Sequence, residues 1–338
     1  MTNALLQVRD LSVAFPTDDG VVRAVRGVSF DLRRGEVLGI VGESGCGKSV
    51  TNLAIMGLLP KTARVSGSVK IGDDEVVGRF PGEMREIRGK RIAMIFQDPM
   101  TSLNPVYTVG WQLVETIRAH REMKKDEARA KAVDLLRLVG IPNPDDRFDS
   151  YPHEFSGGMR QRVVIAMAIA NDPEVLIADE PTTALDVTVQ AQILDTLQRI
   201  RRETGTAIIF ITHDLGVLAG MADRLLVMYA GRVVESGPIE EIFDDPQMPY
   251  TIGLLGAIPG EDSHGRRLNQ IKGAPPSLMR VPEGCLFAPR CPLALEACGN
   301  SEPAVVGPEA HHGVACHRVD DIRSMPDRRS IFLREGAV

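Results

Sequence analysis

Gly42-Glu43-Ser44-Gly45-Cys46-Gly47-Lys48-Ser49 fits the pattern G-x-x-x-x-G-K-[ST] and sits between the apolar run VLGIV and a helical stretch. A loop of this kind turns successive backbone N–H groups inward as an anion nest at a helix start. Gly42, Ser44, Gly45 and Gly47 would shape the cradle for nucleotide phosphates, Lys48 would reach the terminal phosphates, and the Ser49 hydroxyl can bind Mg²⁺. The bland alternative is a plain glycine turn. Cys46 holds a variable position and reads as a bystander. An acidic pair, Asp179-Glu180, closes the apolar run VLIA. Carboxylates at the C-terminal end of a strand face the crevice where α/β sheets bind ligands, so Asp179 would hold Mg²⁺ and Glu180 would orient or activate the water that attacks a γ-phosphate.

A second concentration of chemistry lies near the other end. Four of the five cysteines, Cys285, Cys291, Cys298 and Cys316, follow the spacing C-x₅-C-x₆-C-x₁₇-C. Structural zinc sites usually carry a short C-x₂₋₄-C knuckle, which is absent, whereas iron–sulfur ligation tolerates wider spacing and uses four thiolates. Spacing alone leaves three readings open: a [4Fe–4S] cluster, zinc, and unliganded thiols. Pro289 and Pro292 flank Cys291 and stiffen its loop.

The elements that must position these residues follow from periodicity. Residues 5 to 41 alternate apolar and polar positions and end in VLGIV, which predicts antiparallel strands leading into a buried one. SGSVKI and RIAMIF add an exposed and a buried strand. From Asp98 to Arg160 apolar residues recur every three or four positions, with Gly140 and Pro142 as a stop, so this block predicts a helical insertion. MRQRVVIAMAIA then reads as helix, PEVLIAD as strand, VTVQAQILDTLQRIRRE as helix, and TAIIFITH and DRLLVMYAG as strands. This alternation predicts an α/β fold with a mostly parallel sheet. Proline and glycine rise from Pro246 to Pro282, marking a boundary. The expected organisation is a nucleotide-binding domain over 1–240 with its insertion at about 98–160, a cysteine-bearing extension over 241–320, and a tail over 321–338.

Composition narrows the function. With 338 residues the chain can bury a large core. Its longest apolar runs are strand-length, too short for ~30 Å of hydrocarbon. MTNALLQVRDLSV lacks the layout of a secretory signal, so a cytosolic address is expected, where spaced cysteines are more often metal ligands or reactive thiols than disulfides. A net charge of -6 and an aromatic content of 4% argue against a nucleic-acid binder.

The discriminating stretch is FSGGMRQR, Phe155 to Arg162. In the order phosphate loop, Gln97, FSGGM, LIADEP, Leu185-Asp186, His213, the chain from about Leu5 to Gly237 resembles the ATPase subunit of ATP-binding cassette (ABC) transporters. The resemblance implies a P-loop NTPase (RecA-like) core with an antiparallel β subdomain. It also implies two such subunits sandwiching ATP, with Ser156, Gly157 and Gly158 of one closing on the γ-phosphate held by the other. Gln97 would contact Mg²⁺ and the attacking water, His213 would contact the γ-phosphate, and Asp186 would communicate across the dimer. Phe15 is the ring expected to stack on adenine. Phe155 stands where leucine is usual and Met159 where glutamine is usual; neither change removes a phosphate-contacting atom.

The wording IFQDPMTSLNPVYTVG, the stretch PYTIGLLGAIP and the cysteine segment resemble one branch, the ATPase subunits of dipeptide and oligopeptide importers, with nickel and some sugar importers as relatives. That resemblance implies [4Fe–4S] ligation by the four cysteines. It further implies two membrane permeases docked on the helical insertion, an extracytoplasmic substrate-binding protein, a second ATPase subunit that is often a paralogue, and a place on the cytoplasmic face of the cell membrane. A soluble ABC protein and a regulatory interaction module are the readings of other classes.

Overall fold

The alternating N-terminal segment forms a long hairpin, β1 (Ala4–Thr17) with β2 (Gly20–Arg33), in the computed structural model, which describes residues 4–183, 185–258, 271–306 and 312–332. Part of the boundary stretch, 259–270, and the end of the tail, 333–338, lie outside the described residues. With β4 (Arg64–Ile71) and β5 (Asp74–Glu75) the hairpin makes an antiparallel sheet of order β2-β1-β4-β5. Its inward side chains, among them Leu6, Val8 and Leu32, pack with Ile40 and Ile55 in one core.

The continuous apolar runs make the second sheet. Its strands are β3 (Val37–Val41), β6 (Ile92–Ile95), β7 (Val175–Asp179), β8 (Ala207–Ile211), β9 (Arg224–Tyr229), β10 (Arg232–Pro238) and β11 (Gly313–Val314). The spatial order is β11-β10-β9-β3-β8-β7-β6, parallel from β9 to β6 and antiparallel at β10 and β11. Every residue of β3, β6, β7 and β8 is buried, as strands covered on both faces must be. Full burial of each Val, Ile or Leu contributes about 1.5–3 kcal/mol, so these short strands outweigh their small number of ladder bonds.

The parallel order places the ends of β3, β6, β7 and β8 side by side, which is what gathers the site. The insertion is helical over Val109–Arg118 and Lys125–Leu138, and its second helix stops at Gly140 with φ 75°. Leu113, Ile117 and Leu136 join Ile165 of the helix Gly157–Ile169 in the larger core. Among the described residues no helix is long and apolar enough to cross a membrane.

Residues beyond 240 do not hang off this domain. β11 pairs Val314 with Glu235 of β10, while Tyr250, Phe287 and Val314 are buried in the same core as β3 and β8. Among the described residues a small cluster, Ile252, Ile322 and Ile331, is the extension's own. Its large rings find their apolar surroundings in the main domain because so little core is available locally.

Candidate active site

The phosphate loop runs from the end of β3 into the helix Lys48–Ile55. Backbone approach explains two of its glycines. A Cβ at Gly42 would stand 2.2 Å from the Met228 carbonyl oxygen, and one at Gly47, where φ is 105°, would stand 2.5 Å from that of Ala24. The Gly231 N–H donates to the Cys46 carbonyl (2.9 Å) and pins the loop to the β9–β10 turn. Ser44 and Gly45 are exposed at its crest. Lys48 is buried, and its Nζ donates to the Gly42 and Glu43 carbonyls at 2.6 and 3.1 Å, so the ammonium already lies across the cradle. Phe15 is half-buried near the hairpin end, paired with Val22.

Asp179 ends β7 and accepts a hydrogen bond from the Ser49 hydroxyl. Burial pushes its carboxyl above the usual range, the Ser49 bond opposes this, and the neighbouring Glu180 charge adds to the rise. Glu180 takes a left-handed backbone conformation, φ 49°, uncommon for a side chain of its size, while its N–H donates to the Ile211 carbonyl at 3.0 Å. That geometry turns the carboxylate toward the neighbouring strand ends. Glu180 Oε2 accepts from Gln97 Nε2 (3.0 Å) and Thr183 Oγ1 (2.9 Å), and His213 Nδ1 lies 3.4 Å from Oε1. Gln97 follows β6 and His213 follows β8, so three neighbouring strands deliver the three groups.

Ser156, Gly157 and Gly158 stand elsewhere. The Ser156 hydroxyl caps the helix Gly157–Ile169 by accepting from the Met159 N–H (3.3 Å), and a Cβ at Gly158 would meet Val189 at 2.4 Å. Ser156 and Gly157 are exposed, and among the described residues no hydrogen bond joins this stretch to the phosphate loop. Asp186 caps the helix Val187–Thr204 through the Val189 N–H (2.9 Å) and is also exposed.

Cys285, Cys291, Cys298 and Cys316 all line one cavity of about 20 Å³, together with Met248, Phe287 and Leu293. Backbone N–H groups of Phe287 and Ala288 point at Cys285, that of Leu293 at Cys291 and that of Arg318 at Cys316. Burial pushes the Cys285 thiol up, that of Cys291 to about 12 and that of Cys316 to about 11. Among the described residues no group of three or more His, Cys, Asp or Glu is spaced to hold a single metal ion. The four thiols share one cavity, whose lining also includes His317 and Arg318.

Three contacts were not anticipated from the residue patterns. Thr183 supports Glu180, and Glu43 of the phosphate loop is bonded by Tyr250 and Arg290 of the extension. A hint was present only for Arg290, which adjoins Cys291.

Comparison with known proteins follows the same division. Residues 25–183 match the family ABC transporter, and residues 234–298 match the oligopeptide/dipeptide transporter C-terminal region. The chain is 54% identical over 318 residues to the oligopeptide transport ATP-binding protein OppD of Mycobacterium tuberculosis, covering 94% of this chain and 52% of that protein. It thus spans about half the length of the mycobacterial relatives. It is 54% identical to OppD of Salmonella typhimurium, covering 89% of this chain and 90% of that one, and 53% identical to the dipeptide transport ATP-binding protein DppD of Bacillus subtilis, covering 92% and 94%. Among solved structures it resembles an ATP-binding cassette captured as a dimer in a post-hydrolysis state with ADP and Pi, with TM-score 0.62, 26% identity, and coverage of 69% of this chain and 98% of that one. It also resembles cbiO1 from Clostridium perfringens, with TM-score 0.61, 31% identity, and coverage of 72% and 92%.

Proposed function

From the premise that this chain belongs to the ABC transporter family, in the group carrying the oligopeptide/dipeptide transporter C-terminal region, we propose that it hydrolyses ATP to drive uptake of di- or oligopeptides through membrane permeases. One observation carries the enzymatic part: Glu180, beside a Ser49-bonded Asp179, is held by Gln97, Thr183 and His213 at the edge of the phosphate loop's strand layer. Glu180 accepts the proton of the water that attacks the γ-phosphorus. The bond to the β–γ bridging oxygen breaks, and ADP and phosphate leave. Gln97 orients that water, and His213 moves from Glu180 to the γ-phosphate. Ser49, Asp179 and Gln97 would hold Mg²⁺, which supplies charge neutralisation on the phosphates. Lys48 leaves the Gly42 and Glu43 carbonyls for the terminal phosphates, and Phe15 stacks on adenine.

The exposed cap at Ser156, with no bond to its own phosphate loop, supports action in trans: Ser156, Gly157 and Gly158 close on ATP held by a second ATPase subunit, identical or a paralogue, with Asp186 at the junction. The likeness to a cassette crystallised as a dimer with ADP and Pi supports the same arrangement. Docking on two permeases at the cytoplasmic face of the membrane is supported by an apolar patch on the insertion, where Val106 is 70% exposed and the rings of exposed Tyr107 and Trp111 stack at 4.0 Å. An extracytoplasmic protein would deliver the peptide. The names of the relatives favour peptides over nickel or sugars, and over a soluble role.

For the extension, a [4Fe–4S] cluster ligated by Cys285, Cys291, Cys298 and Cys316 is the reading supported by four thiols on one cavity and N–H groups aimed at their sulfurs. When bound, the cluster would supply the positive charge that keeps buried thiolates ionised and would cross-link a segment with little core of its own. Reconstitution with the permeases and binding protein tests the whole proposal. Wild type should take up labelled peptide with ATP consumption and the Glu180→Gln variant should not; uptake sustained by that variant would sink the role given to Glu180.

A further inference from the structure

Glu43 is the second residue of the phosphate loop and occupies a variable position of its pattern, yet it is bonded to the extension through both its backbone and its carboxylate. Its N–H donates to the Tyr250 hydroxyl at 2.8 Å. Its carboxylate receives both arms of the Arg290 guanidinium, Nη1 to Oε2 at 2.7 Å and Nη2 to Oε1 at 2.8 Å. Arg290 is 5% exposed at its side chain, and it makes two further bonds, Nη1 on the Tyr229 hydroxyl (3.2 Å) and Nε on the Lys272 carbonyl (3.2 Å). A fork–fork pair whose guanidinium is this buried, with Glu43 26% exposed, is directional and costly to break from the arginine side.

Arg290 belongs to the cysteine loop. It ends the turn Ala288–Arg290, directly before Cys291, and Phe287 of the same loop packs edge-on against Tyr229 and Tyr250 at 5.3 and 5.4 Å between ring centres. The contact has an electrostatic consequence for the cradle. A polyanion must enter a loop that carries a carboxylate, and only Arg290 neutralises that carboxylate by direct pairing among the described residues. Remove the guanidinium, and a stranded negative charge remains beside the phosphates.

We propose that Arg290 is a positioning residue for nucleotide binding: by clamping and neutralising Glu43 it tunes the phosphate loop, and so ties ATP affinity to the folded state of the cysteine loop. The proposal rests on the reading of this chain as an ATP-binding protein.

The test uses the full chain, purified anaerobically, with a fluorescent ATP analogue titrated against wild type, Arg290→Met, Arg290→Lys and the double variant Glu43→Gln/Arg290→Met. Arg290→Met should weaken binding about ten-fold. The double variant, which removes the stranded carboxylate, should recover to within about three-fold of wild type, and kcat at saturating ATP should stay within about two-fold because Arg290 touches no reacting atom. Arg290→Lys, which keeps the cation without the fork, should lose about three-fold and serves where the methionine variant does not fold. Unchanged affinity in a folded Arg290 variant, with only the melting temperature lowered, would mean a purely structural residue and overturn the proposal. A double variant as weak as Arg290→Met would overturn it too. Wild type that binds no nucleotide would instead bring down the ATPase reading.

Discussion

Around Glu180 polar side chains hold one another: Gln97, Thr183 and His213 converge on a single carboxylate, and Ser49 bonds the next one along. Around the four cysteines the lining is mostly apolar, with Met248, Phe287 and Leu293 beside His317 and Arg318, and the polar contacts to sulfur come from backbone N–H groups. The first region collects residues from distant parts of the chain, the second from one C-terminal segment. The first is organised by its own hydrogen bonds on a rigid parallel sheet. The second is shaped by apolar packing and leaves its chemical groups without partners of opposite charge, as a ligand-completed structural site would.

The contrast can be broken most directly at Glu180. Glu180→Gln keeps the size and the bonds to Thr183 and Gln97 but not the basicity, so phosphate release should fall about 10²–10⁴-fold while nucleotide binding persists. Retained turnover would move the base elsewhere. Next in size is the cysteine cavity. Wild type purified anaerobically should carry near-stoichiometric iron and acid-labile sulfide, and Cys291→Ser should lose both and melt about 5 °C lower. Zinc in their place would make this a zinc site, and no metal with unchanged melting would leave four packed thiols and erase the difference between the regions.

Smaller effects sharpen the comparison. His213→Ala should cost about ten-fold in kcat, less than Glu180→Gln, because the histidine binds phosphate charge without moving the proton. At Asp179 the sign of the pH dependence is informative. Burial raises its folded pKa above that of a free aspartate, so ionisation is penalised in the folded state and stability is lost as pH rises through the raised pKa. Asp179→Asn should therefore raise the melting temperature of the nucleotide-free chain at pH 7 by about 1–3 °C, and the gain should vanish below the unfolded pKa. A lower melting temperature at neutral pH would show that the Ser49 bond outweighs burial.

Much of this was legible in the residues. Strand periodicity located β3, β7 and β8, and the phosphate-loop pattern placed Lys48 and Ser49 at a helix start, because those features depend on local spacing. The insertion's stop at Gly140 was legible for the same reason. The edge strands β10 and β11 carried a weaker pattern, and β11 forms from two residues only because Glu235 and Ser236 offer an open sheet edge. Thr183 was invisible since a threonine near a carboxylate has no distinctive spacing.

What the sequence determined by itself was the inventory: a phosphate loop, a strand-end carboxylate pair, a helix-capping Ser-Gly-Gly stretch and four spaced cysteines, all set by neighbours a few positions away. The tertiary structure decided which of them meet. Parallel pairing of β6, β7 and β8 set Gln97 and His213 around the Glu180 carboxylate, and apolar burial of Tyr250 and Phe287 in the main core brought Arg290 onto Glu43 across 247 positions of sequence. Hydrophobic burial is non-directional, so no spacing rule encodes which loop it carries against which; only the packed core fixes that.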